Sequence, residues 1–284
     1  MRSALFFLTA LYLGTLSSVH AQNVEPDSLK PLLSDSTAVQ AEPEAADSLS
    51  PSSESVPLFR TVANRAFGVG EHLVFEIAYG VVKAGTSVMS IPDTQWVQGR
   101  PCYHIVTTAE SNNFFSSIFK VRDRVESLMD VDGLFAWKFE KHLHEGKFRS
   151  DRYEVYDQSR RKVYAKGDTF DAPPFVQDIL SSFYYSRTQP LEVGQYLELD
   201  NFADGRVYPL RILVHRREKI RVPAGTFDCI VVEPVLRSEG IFKQTGKLTI
   251  WVTDDERRIP VLMKSKVFVG SIDARLKRYA SGPK

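Results

Sequence analysis

The chain has 284 residues, 43% of them apolar, with a formal net charge of +1 and two cysteines, Cys102 and Cys229. Two cysteines exclude a disulfide-stapled scaffold and any zinc site built from cysteines alone. The bases are spread among acids rather than clustered with aromatics, so nucleic acid is excluded as an expected partner.

Residues 1–21 read as a cleaved secretory signal. Arg2 supplies the positive start, Ala4 to Leu16 carries no charge, and Val19-His20-Ala21 is a small-x-small cleavage site before Gln22. The apolar run is too short to span a bilayer, and no later stretch is long enough to do so. No cysteine follows the cleavage site, so no stable membrane anchor is expected. The expected location is the periplasm or the cell exterior. Residues 22–57 contain no aromatic residue and set Glu25, Asp27, Asp35, Glu42, Glu44, Asp47 and Glu54 against Lys30 alone. Such a composition cannot bury enough apolar surface to offset chain entropy and reads as a disordered acidic tether. Residues 58–284 remain as one β domain with a formal charge near +6, in keeping with solubility or weak attraction to anionic envelope components.

Period-two alternation runs through this domain. Leu73, Phe75, Ile77 and Tyr79 share one strand face, and the chain returns from Gly85 to Ile91 as the second arm of a hairpin. Gln98-Gly99-Arg100-Pro101 is a turn before a strand from Cys102 to Thr108. Asn112 to Phe119 breaks the rhythm as a short amphipathic helix. Strands are predicted at Val121–Met129, Leu134–His142, Phe148–Tyr156 and Lys162–Ala165. Pro174 to Arg187, with Phe175, Ile179, Leu180, Phe183 and Tyr184 at helical spacing after a double-proline start, is the strongest helix. Further strands are predicted at Tyr208–Val214, Cys229–Val235, Lys247–Thr253, Val261–Phe268 and Ile272–Tyr279. The fold class is therefore mainly β, a large antiparallel curled sheet or open barrel with one or two short helices. Gly70-Glu71-His72-Leu73 and Gly194-Gln195-Tyr196-Leu197 form a faint echo, too short to support a duplication.

The most distinctive words lie in the C-terminal third: Val222-Pro223-Ala224-Gly225-Thr226-Phe227-Asp228-Cys229, Ile250-Trp251-Val252-Thr253-Asp254-Asp255, Arg258-Ile259-Pro260-Val261 and Gly270-Ser271-Ile272. They join Gly70-Glu71-x-Leu73, Tyr79-Gly80 and Ala84-Gly85 near the start, and Asp178-Ile179-Leu180-Ser181 before Tyr184-Tyr185 in the middle. In this order and spacing the chain resembles the domain-of-unknown-function 3108 family of exported bacterial proteins over nearly all of residues 65 to 280. The resemblance implies an exported, largely antiparallel β-domain and carries over no catalytic residue. Its curled sheet is comparable, as a fold-level analogy only, with envelope lipoprotein carriers whose open barrel holds acyl chains. Physically, Gly225 reads as the positive-φ residue of a tight hairpin, and Asp254-Asp255 as a turn whose carboxylates bind nearby amides.

Chemistry-bearing constellations are sparse. His142-x-His144-Glu145 has two imidazoles on one strand face but no third ligand at fixed spacing, so a partly exposed strand end is the expected reading and no metal is assigned. Ser181 and Ser182 lie in a helix without a nearby histidine or nucleophile elbow. Cys229 sits beside Ile230-Val231-Val232, the setting of an inert buried thiol; whether it pairs with Cys102 stays open. Asp123, Glu126 and Glu145 alternate with Arg122, Arg124 and Lys147, which favours cross-strand salt bridges over a carboxylate pair. Phe114, Phe115, Ile118 and Phe119 are the candidate ligand-binding residues. Ordinary core is one reading of them; the other is a flap over an apolar cavity, hinged at Ser111-Asn112-Asn113.

The expected protein is an exported, non-enzymatic envelope β-domain without a cofactor, binding a lipid-like or apolar ligand or an envelope protein. A hydrolytic or metal-dependent envelope enzyme and a structural assembly factor are the competing readings. A large apolar pocket marks the first, convergent His and Glu side chains in a cleft the second, and a filled interior with an exposed apolar patch the third.

Overall fold

The structure, a computed structural model, describes residues 60–236, 247–266 and 270–282. The expected signal and tether, and the end of the strand predicted to reach Phe268, lie outside the described residues.

Alternating side chains build a first antiparallel meander: β1 (His72–Tyr79), β2 (Val82–Ser90), β4 (Arg100–Ser111), β5 (Arg122–Asp130), β6 (Ala136–Glu145), β7 (Phe148–Asp157), β8 (Lys162–Ala165) and β9 (Asp168–Asp171). The short β3 (Thr94–Val97) pairs with β4 alone, and α1 (Asn113–Ile118) sits between β4 and β5. A second meander comprises β10 (Tyr196–Ala203), β11 (Arg206–Val222), β12 (Gly225–Leu236), β13 (Leu248–Thr253), β14 (Pro260–Lys266) and β15 (Ser271–Ala280). Pairing of β15 with β1 fuses the two into one open antiparallel sheet of 15 strands, edged by β9 and β10.

The helix α2 (Ile179–Arg187) connects the two edge strands. Ile179, Leu180 and Tyr184 join the main core with residues of both meanders, among them Phe75, Ile105, Phe139, Val231 and Leu276. A second cluster, with Leu210, Ile212, Ile230 and Ile250, meets the helix at Phe183. Phe183 therefore bridges two cores. The helix begins later than its periodicity predicts, because Phe175 takes φ +63° and Asp178 accepts hydrogen bonds from the Leu180 and Ser181 amides. Ser127 of β5 donates to the same carboxylate at 2.6 Å, tying the helix start to the sheet. At the other end Arg187 makes a bidentate pair with Glu71, at 2.8 and 2.7 Å, with both side chains buried.

Val222 and Gly225 pair across a two-residue loop, and Gly225 has φ +137°. Ala224 then donates its amide to the Leu276 carbonyl at 3.0 Å, so this hairpin tip folds onto β15. The Asp turn also forms as read: Asp255 accepts from the Arg257 amide at 3.1 Å. The faint echo occupies equivalent places. Gly70 donates to Ile91 and receives Ile91 at Glu71, while Gly194 donates to Val214 and receives Val214 at Gln195.

Candidate functional site

The predicted aromatic segment forms α1, which lies at the surface with Phe115 alone packed against the main core. No residue of the helix is buried; Phe114 is 67% and Ile118 71% exposed. Phe115 is half-buried against the main core, and the Phe119 ring covers Gly146. The polar residues read as hinges are pins. Asn112 caps the helix through the Phe115 amide at 2.9 Å and donates its side-chain amide to the Lys83 carbonyl at 2.7 Å. Ser111 shares a hydrogen bond with Ser116 and accepts from the Val121 amide. Fixed in this way, α1 stands between two neighbouring turns. The Asn112 bond holds it beside the β1–β2 turn, where Val81 is 96% exposed. A bond from the Gly146 amide to the Lys120 carbonyl holds it beside the β6–β7 turn, where Phe148 is exposed. Apolar side chains of three turns thus protrude from one end of the sheet.

The same segments carry Lys83, Lys120, Arg122, Lys147 and Arg149, all exposed, and their one acid, Glu145, is buried. Lys83 pairs with Glu76, and Arg122 lies across from Glu110. Beneath this end the expected salt bridges of Asp123 and Glu145 do not form. Both acids are buried inside the sheet, where Asp123 accepts from the His144 amide at 2.9 Å. Burial, and then the neighbouring Asp123 carboxylate, push the Glu145 carboxyl well above its ordinary range. Glu126, on the outer face, pairs with Arg124 of its own strand rather than across strands, and bonds His104 of β4 at 2.6 Å.

Deeper inside, burial raises Glu154 to about 7 despite a hydrogen bond from Tyr156, and Asp178 to about 6 despite that from Ser127. Burial, reinforced by Arg152, lowers Lys141 to about 8. Perturbed groups of this kind mark functional sites when a cleft reaches them. Here Glu154, Asp178, Lys141 and Glu145 are all buried, and the contacts of Asp178 and Asn201 lock α2 and β10 to the sheet.

An open depression of about 510 Å³ lies over β7 and the β8–β9 turn, lined by Arg152, Tyr153, Val155, Tyr164, Lys166 and Thr169. An apolar cavity of about 30 Å³ lies against Phe183, Leu191, Leu210, Ile212 and Val232. That is about the share of one water in the liquid, whereas a small-molecule pocket is ~300–1,000 Å³. No α1 side chain lines it. His142 and His144 project from the outer face of β6 while Glu145 turns inward, so the three do not converge. Among the described residues no group of three or more His, Cys, Asp or Glu side chains is placed to hold a metal. Cys102 and Cys229 are free and lie in separate core clusters, and burial pushes both thiols up to about 12. Sequence reasoning set the carboxylate pairing of Asp123 and Glu145 below salt bridges and did not find the Arg187–Glu71 pair. The first had a signal, since both acids alternate with neighbours that face solvent.

A family model described as a protein of unknown function, DUF3108, matches residues 74–277. No curated protein matches the chain. The chain is similar in fold to a beta-barrel-like protein of domain of unknown function DUF1849 from Brucella abortus, at 9% identity and TM-score 0.52, covering 77% of this chain and 100% of that one. A candidate lipoprotein from Parabacteroides distasonis aligns at 11% identity and TM-score 0.35, over 78% of this chain and 99% of that one. A candidate exported protein with a YmcC-like fold from Bacteroides fragilis aligns at 11% identity and TM-score 0.29, with the same coverage.

Proposed function

The chain belongs to the DUF3108 family, and from that premise we propose that it is an exported, non-enzymatic β-domain that recognises a component of the cell envelope through the apolar turn end carrying α1. Export rests on the amino-terminal pattern of Arg2, the uncharged run to Leu16 and the Val19-His20-Ala21 site. The observation that carries the mode of action is the contrast between inside and outside. The apolar cavity beside α2 is the size of one water and has no room for an acyl chain, while Phe114 and Ile118 are spent on solvent. This contrast supports recognition at the surface over carriage of a ligand in that cavity.

Fractionation of the native host tests this reading. The wild-type protein should remain with the envelope fraction at low salt, and the double substitution Phe114→Asp with Ile118→Asp should release it to the soluble fraction without changing its melting temperature. Equal release of both proteins would overturn the reading.

A further inference from the structure

We propose that the envelope component is the bilayer itself, and that the turn end carrying α1 docks peripherally on an anionic phospholipid surface. This deepens the surface-recognition reading and rests on it.

The first support is shape. Val81, Phe114, Ile118 and Phe148 stand on three adjacent turns of a meander, so they project outward instead of lining a groove. Protruding aliphatic and phenylalanine side chains fit the soft boundary between headgroups and acyl chains, which accepts them without a complementary pocket. The second support is charge. Around these tips stand Lys83, Lys120, Arg122, Lys147 and Arg149, of which Lys83 pairs with Glu76 and Arg122 lies opposite the exposed Glu110, so that three cations remain without an acid partner among the described residues. Lys120, Lys147 and Arg149 form no ion pair among the described residues, and Arg149 instead donates to the carbonyls of Gly146 and Phe148. Cations beside an apolar tip complement headgroup phosphates, and each basic residue near an anionic surface strengthens binding by about fivefold. The lysines Lys83, Lys120 and Lys147 around the tips also favour lipid, since lysine is depleted at protein interfaces. The third support is rigidity: the Asn112 and Ser111 pins fix α1 before contact, so insertion orders nothing that is not already ordered.

Co-sedimentation of the mature full chain with vesicles tests the proposal. One set contains phosphatidylcholine alone, the other phosphatidylcholine with about one-third phosphatidylglycerol. The wild type should bind the anionic set at least ~10-fold more tightly and lose most of that binding at high salt. Phe114→Asp with Ile118→Asp, and separately Lys120→Glu with Lys147→Glu, should each weaken it ~10-fold or more. Trp96→Asp, on the exposed β3 at the opposite end of β4, should leave it unchanged. Equal binding to both vesicle sets, no binding to the anionic set, or equal loss with Trp96→Asp would overturn docking on lipid. If the host protein nevertheless leaves the envelope fraction when Phe114 and Ile118 are replaced, the surface reading stands and the component is a protein.

Discussion

Glu145 shows what a single inward-facing acid does to the molecule. The folded chain holds protons on Glu145, Glu154 and Asp178 up to about 8, 7 and 6, whereas the unfolded chain releases them near ordinary carboxyl values. The stability these three groups contribute is thus fully present below ~4 and is lost as pH rises through those values. Lys141, lowered to about 8, acts with the opposite sign, and stability recovers between there and the ordinary lysine value near ~10.4. The melting temperature should fall by ~5 °C or more between pH 5 and pH 8, and Glu145→Gln should flatten much of that slope. A melting temperature that is level or rises over this range would overturn the raised carboxyl values. Gly225 supplies the second test at this scale. A Cβ there would meet nothing closer than the Phe227 ring at 3.7 Å, so its constraint is backbone conformation rather than space. Gly225→Val is expected to cost ~1–3 kcal/mol by denaturant unfolding, and a neutral result would remove the strain argument.

Among the elements, α1 gives the sharpest expectation. Phe115 is half-buried, so Phe115→Ala should cost ~1–2 kcal/mol, well below the ~3–5 kcal/mol of a phenylalanine in a filled core. A loss at the upper value would mean that the helix is seated as core after all. The sequence reveals elements in proportion to how strongly one face is buried. Leu73, Phe75 and Ile77 alternate without interruption and β1 is found where expected. In β10 the pattern Leu197, Leu199 is diluted by Glu198 and Asp200, and the strand escaped prediction together with β3 and β9, which have no buried face of their own. The carboxyl end of β11 was missed for a similar reason, since Arg216 to Lys219 hide the strand behind a bulge after Val214. For the candidate site, position and composition were legible and burial was not. Phe114 to Phe119 read equally well as core, because hydrophobic character in one chain does not say which side of a sheet end will face water. The buried ion pair of Arg187 and Glu71 was beyond reach, for 116 residues separate its partners.

At the scale of the whole molecule, the acidic segment before the domain is expected to add nothing to folding. Deleting residues 22–57 should leave the melting temperature within a degree or two of the full mature chain, since a segment without aromatic residues offers little to pack. A clear loss would show that it docks. The pairing of β1 with β15 has a consequence for the order of events. His72 lies opposite Ala280, so the two meanders meet only across nearly the full length of the domain, a connection of high contact order. As a chain appears amino-terminus first, the outer edge of β1 stays bare until the final strand arrives, and an exposed edge invites pairing with another copy. The seam between the meanders is therefore the last joint to close and the place where misassembly would begin.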